Sequence, residues 1–207
     1  MQTRSRAWIS ITSLALVAGA GIATMSAIPA ATPAPAPAAA DTYTVDKVHS
    51  GVVFKIRHMG VANVYGMIHE PTGSFTIDPA NPGASAIEVI VPSGKVDTGN
   101  AGRDAHIRKV DFFNAGEFPT ITFKSTKFTP VSEGVYDVTG DLTFIGKTNP
   151  VTARLTVLGQ GQGRGKQIMG VEATFSIKRT DFGNSTNVKD GGLSDEVWLT
   201  VALEGAK

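Results

Sequence analysis

Residues 103–125 read RDAHIRKVDFFNAGEFPTITFKS. From Arg103 to Val110 the stretch has the character of a short polar helix. After Pro119 it changes period: Ile121, Phe123 and Ser125 alternate with Thr122 and Lys124, the two-residue repeat of a strand. Phe112 and Phe113 stand at the join. Large aromatics where a short helix meets a strand either plug a core or line the mouth of an apolar cavity, and both readings stand at this point.

Outward from this stretch, the strand period dominates everything beyond residue 41. Val52, Phe54, Ile56 and His58 form one set of alternating positions, and Ile87, Val89 and Val91 another. Val138, Gly140, Leu142 and Phe144 follow, then Ala153, Leu155 and Val157. The last two sets are Val171, Ala173, Phe175 and Ile177, and Val197, Leu199, Val201 and Leu203. The intervening positions are mostly polar. One apolar and one polar face per strand is the mark of antiparallel sheet with one wet side.

Gly, Pro, Asn and Asp cluster at residues 78–83, 129–134, 159–166 and 180–192, which read as turns or flexible loops. With further strands at 43–46 and 64–78, the chain has eight to ten strands and one helix, at 103–110. Strands of about eight to twelve residues are long for a sandwich. Closing the sheet removes the exposed edges that invite aggregation. The expected fold is all-β: an antiparallel up-and-down β-barrel with one short helix.

An eight-stranded barrel is filled by its own side chains or holds one small ligand. The inward set includes Gly66, Gly140, Ala153, Ala173 and Ser125. These small residues either leave room or accommodate bulky neighbours opposite, so cavity and filled core both remain open.

The first 40 residues have a different composition. Arg4 and Arg6 precede an uncharged apolar run at 8–28, followed by PAATPAPAPAAA at 29–40. This order reads as a signal peptide at 1–28, with cleavage extending as far as residue 40, an Ala/Pro-rich linker at 29–40 and one domain at 41–207. An uncleaved anchor is the rival reading. The expectation is a soluble periplasmic or secreted protein. The chain has no cysteine, so it has neither a disulfide nor a Cys-linked lipid. With Arg4 and Arg6 set aside, 17 basic residues face 18 acidic ones, a balance that argues against a nucleic-acid partner.

Catalytic and cofactor motifs are weak. His49, His58, His69 and His106 show no paired ligand spacing, so no metal is expected. The run GQGQGRGK at 159–166 puts Gln160 where a phosphate loop needs glycine, and a strand rather than a helix follows. It reads as a flexible hairpin loop. No G-x-S-x-G elbow occurs. Asp104 with His106, and Asp46 with His49, are acid/base pairs in principle, but helix capping and turn hydrogen bonds account for them more simply. Arg179 and Asp181 read as a surface pair or as partners of loop backbone, with Phe182 packing at a barrel end. No cofactor and no catalytic residue is assigned.

A resemblance adds to this reading. Asp46, His49-Ser50, Phe54 to His58, Gly66, Thr98, Arg103-Asp104, His106 and Asp111-Phe112-Phe113 occur in order. Phe118-Pro119, Phe123, Ser125-Thr126, Gly140, Leu142, Gly146, Thr148, Arg179, Asp181-Phe182-Gly183 and Val197 continue the set. The ordered set resembles the YceI-like family of exported lipid- or polyisoprenoid-binding proteins. The resemblance implies a lipocalin-like barrel with a long apolar tunnel for an isoprenoid or other long amphiphile. It also implies a homodimer, no catalysis, transient membrane contact and a role in envelope stress.

The residues assigned to the ligand are Phe54, Ile56, Ile121, Phe123, Leu142, Phe144, Phe175, Ile177 and Leu199, with Phe112 and Phe113 at the mouth. His58 and Ser125 are polar groups that either meet a headgroup or satisfy each other. The rivals are a closed-core structural or interaction module, and a hydrolase or isomerase using His58 or His106.

Overall fold

The computed structural model describes residues 40–207. The expected signal peptide and linker, through residue 39, lie outside the described residues. The described chain forms eleven strands and one α-helix. The strands are β1 (Thr42–Val45), β2 (Gly51–His58), β3 (Ala62–His69), β4 (Thr72–Thr76), β5 (Ala86–Pro92) and β6 (Val96–Asp97), then β7 (Thr120–Ser132), β8 (Val135–Phe144), β9 (Lys147–Gly163), β10 (Lys166–Lys178) and β11 (Leu193–Ala206). The helix is α1 (Ala101–Ile107).

Strands β1, β4, β5, β7, β8, β9, β10 and β11 are neighbours in that order, and β11 pairs with β1 again through Thr44 opposite Ala206. Eight antiparallel strands thus close into a barrel. The run from β7 to β11 is an up-and-down meander. The earlier half of β11 pairs with β2 instead, Val197 opposite Ile56 and Ala202 opposite Gly51, and β3 and the short β6 extend from there.

Two of the meander turns are two-residue hairpins with both residues at positive φ. Ile145 and Gly146 join Phe144 to Lys147, and Arg164 and Gly165 join Gly163 to Lys166. Glycine in the second position makes that left-handed pair accessible. The Gly/Gln-rich run at 159–166 is therefore not a flexible loop: all but Arg164 and Gly165 is strand, with Gly161 opposite Ile168. Strand propensity is low there, but pairing with β10 along the whole run overrides it. The single strand expected at 64–78 is two strands. Glu70, at φ 61, and buried Pro71 break the chain between β3 and β4.

The inward faces follow the alternation. Burial along them is graded, and the gradient orients the barrel. At one end Tyr136, Val138, Leu155, Val171, Leu203 and Phe75 are all but inaccessible, and Tyr43 stacks on Phe75. Toward the other end of β10 and β11, Ala173, Phe175, Ile177, Val201 and Leu199 are only half-buried although they face inward. The first end is closed by its own side chains and the second opens.

At the open end β10 stops pairing with β9 at Thr174 opposite Arg154, which leaves residues 147–153 of β9 free on that side. Pro150 sits in this stretch, where its missing N–H breaks no ladder bond to β10. The gap is filled by the 3-10 turn Arg179–Phe182. Asn149 Nδ2 donates to Asp181 O, and Phe182 buries itself against Leu142 and Phe144.

Candidate functional site: a two-chamber apolar tunnel

The open half of the barrel encloses an inner chamber of about 140 Å³. Phe54, Phe113, Ile121, Phe123, Leu142, Phe144, Phe175, Ile177 and Leu199 all line it, together with Val52, Ala153, Ala173, Val197 and Val201. Among the described residues its polar side chains are Thr122 and Arg179. A larger outer chamber of about 480 Å³ is lined by Ile56, His58, Phe112, Thr98, Arg103, His106, Ile107 and Asp190. The two adjoin and share Phe54, Phe113, Arg179 and Val197, the common wall called the throat below. Of the thirteen residues named from the sequence, all but Ser125 line one chamber or the other.

The small inward residues divide into two groups. A β-carbon on Gly66 would collide with the Phe54 ring, and one on Gly140 would lie 2.5 Å from Phe123 Cζ. Those glycines make room for aromatic neighbours and leave no void. Ala153 and Ala173, by contrast, face the chamber itself. Ser125 lines neither chamber; its hydroxyl oxygen accepts from Ile87 N.

The mouth is built by α1 and two loops. Asn100 caps α1 by accepting from Arg103 N. Asp104 turns back to accept from Thr98 N and Thr98 Oγ1, and these contacts, with Arg108 and Arg103 nearby, hold its carboxyl below the usual range against the opposing effect of burial. Phe113 meets Phe144 edge to face at 5.4 Å, and Phe112 meets His106 edge to face at 5.0 Å. The loop after α1 is clasped to the loop at 183–192. Asn184 Nδ2 donates to Asp111 O and Phe112 O, and Thr186 Oγ1 donates to Asp111 O.

For Arg179 the loop-backbone reading holds and the surface reading does not. It is 5 % exposed and does not pair with Asp181. Its guanidinium donates to Ser194 O, Thr186 O and Asn184 Oδ1. Burial pushes its pKa below the ordinary arginine range, and the nearby Asp195 carboxylate opposes that. A signal was present in the alternation: two residues past Ile177 the inward parity falls on Arg179. The charged turn that follows hid it.

His58 and His106 stand in the outer chamber and do not line the inner one. His58 and His69 lie at opposite ends of the β2–β3 hairpin, His58 opposite Ala62 and His69 opposite Gly51. Asp46, His49 and Glu204 do come together, His49 Nδ1 lying 2.9 Å from Asp46 Oδ2 and 3.7 Å from Glu204 Oε1. They do so away from the tunnel, where β1 turns into β2 beside β11, and the His49 side chain is 47 % exposed.

The YceI-like domain matches residues 43–205 of this chain. A UPF0312 protein of Yersinia enterocolitica is 40 % identical over 173 residues, covering 82 % of this chain and 88 % of that one. A UPF0312 protein of Pseudomonas paraeruginosa is 39 % identical over the same length, covering 82 % and 89 %. Among solved structures, BcnA of Burkholderia cenocepacia superposes with a TM-score of 0.69 at 26 % identity, covering 77 % of this chain and 98 % of that one. The YceI protein of Campylobacter jejuni gives 0.65 at 31 %, covering 80 % and 97 %. A polyisoprenoid binding domain of Saccharophagus degradans gives 0.61 at 16 % identity, covering 79 % and 97 %, a likeness of fold. The chain belongs to the YceI-like family.

Proposed function

We propose that the protein binds one long-chain amphiphile, an isoprenoid or a lipid of similar girth, with its hydrocarbon in the inner chamber and its polar end in the outer one. The observation that carries this reading is the pair of adjoining chambers with a shared wall, apolar within and mixed at the mouth. Burying a chain there removes apolar surface from water at about 25 cal/mol per Å², with few polar contacts demanded of the interior. The likeness of fold to a polyisoprenoid binding domain agrees with it.

The basic and apolar leader at 1–28 supports export, and the role we infer is that of a carrier or sequestering protein outside the cytoplasm. The test is native mass spectrometry of protein purified from its own host, followed by lipid extraction. One bound chain per barrel is the expected result. A barrel that is empty from the host and takes up no long-chain alcohol in vitro would favour a structural or interaction module instead.

A further inference from the structure

The outer chamber carries an unspent cationic donor. Arg103 donates Nε to Thr98 Oγ1 and Nη2 to Thr98 O, both 2.7 Å, which leaves Nη1 without a protein acceptor among the described residues. No carboxylate lies within ion-pair distance of it there. The nearby carboxylates take their hydrogen bonds from other groups, although Asp104 attracts Arg103 at longer range. Asp104 accepts from Thr98, Asp111 faces His106 Nε2 at 3.2 Å, and Asp190 Oδ1 accepts from Gly192 N. Asp195, the charge closest in effect to Arg179, accepts from Thr180 N and Oγ1. Arg179 itself stands at the throat with its N–H groups on neutral oxygens, so its charge is not cancelled by contact.

Resting on the amphiphile reading above, we infer that the outer chamber selects a chain with an anionic oxyacid head, a phosphate or carboxylate, held between Arg103 and the throat. The head docks on Arg103 Nη1, the free end of a guanidinium fork already oriented by Thr98. The charge of Arg179, offset only in part by Asp195 and by no direct ion pair, acts on it from inside, where screening is weaker than at the surface. Asp190, which also lines this chamber, opposes the anion and sets the limit on its charge.

The experiment measures displacement of the neutral probe N-phenyl-1-naphthylamine by tetradecanol, tetradecanoate and tetradecyl phosphate, three heads on one chain, at low and high salt. Inorganic phosphate alone is the control for a head without a chain. The expected result is that both anions compete roughly tenfold better than the alcohol at low salt, a gap that narrows at high salt, while inorganic phosphate displaces nothing. Arg103→Gln collapses the ratio of anion to alcohol affinity, and Arg103→Lys keeps most of it. Asp190→Asn, which retains the acceptor for Gly192 N, widens the ratio and serves even if the Arg103 variant folds poorly.

Equal affinity for all three heads in the wild type overturns the inference and leaves the carrier reading intact. So does a ratio unmoved in a folded Arg103→Gln. If none of the three chains displaces the probe, the carrier reading falls and the inference with it.

Discussion

The ring of Phe54 lies across Gly66 on the neighbouring strand, directly opposite in register, and occupies the space in which a β-carbon at 66 would stand. Thr98 presses on the same spot from the far side. Phe54 is also a wall of the throat. Gly66→Ala should therefore drive the ring toward the tunnel, with an overpacking cost of about 1–3 kcal/mol, and weaken uptake of a long-chain alcohol. Trimming the ring should relieve this. In a double-mutant cycle, Gly66→Ala with Phe54→Val should cost less than the two single changes added together. Strict additivity in urea melts would mean the ring is free to move elsewhere.

Much of this was legible in the sequence because period-two alternation maps directly onto inside and outside. Phe144, Phe175 and Leu199 could be assigned to the interior from parity alone, and they line the inner chamber. What parity does not carry is depth along the strand. It could not distinguish Val171, sealed at the closed end, from Phe175, which faces open space four residues later. Nor could it distinguish a glycine that makes room for a ring, such as Gly140, from an alanine that borders a void, such as Ala173. The length of β9 was hidden because its glycines are held by pairing with β10 and not by their own propensity.

Ala173 gives the most direct probe of the void. It stands opposite Leu155 on one side and Val201 on the other, and all three face the inner chamber. Leucine at 173 should fill that space with little loss of stability and reduce binding of tetradecanol at least tenfold, roughly the 1.4 kcal/mol that a factor of ten represents. Circular dichroism establishes that the strands persist. A folded variant that binds as the wild type does would place the hydrocarbon in the outer chamber alone.

Asp104 gives a pH dependence of defined sign. Its folded-state pKa is lowered, chiefly by the Thr98 hydroxyl, from the ordinary value of 3.8. A depressed carboxyl contributes stability that is present above its unfolded value and lost as pH falls through the folded one. Urea midpoints measured from neutral pH downward should drop below about pH 4, and Asp104→Asn should lower the neutral value while flattening the acid limb. An acid limb identical in both proteins would mean that other groups govern it, Asp195 first among them, since its folded pKa is also lowered.

The last prediction concerns the rate at which a ligand passes the mouth. Asn184 is the joint of the clasp: its Oδ1 accepts from Arg179 Nη1 at 2.9 Å, and its Nδ2 donates to Phe112 O at 2.9 Å. It is buried, so each of these groups loses water when the clasp forms and is costly to leave unpaired. Asn184→Ala removes both ends of the joint at once. It should cost about 1–3 kcal/mol of stability and free the segment bearing Phe112 and Phe113 from the loop at 183–192. Phe113 is a wall of both chambers. Release of bound N-phenyl-1-naphthylamine, followed by stopped-flow fluorescence, should then quicken by more than equilibrium affinity falls, because opening the mouth speeds entry as well as exit. Asn184→Asp separates packing from clasping. It keeps the acceptor for Arg179 and loses the donors to Phe112 and Asp111, so it should retain most of the stability yet release the probe as fast as alanine does. If alanine lowers stability while both variants release the probe at the wild-type rate, the clasp is a structural tie and the ligand passes elsewhere.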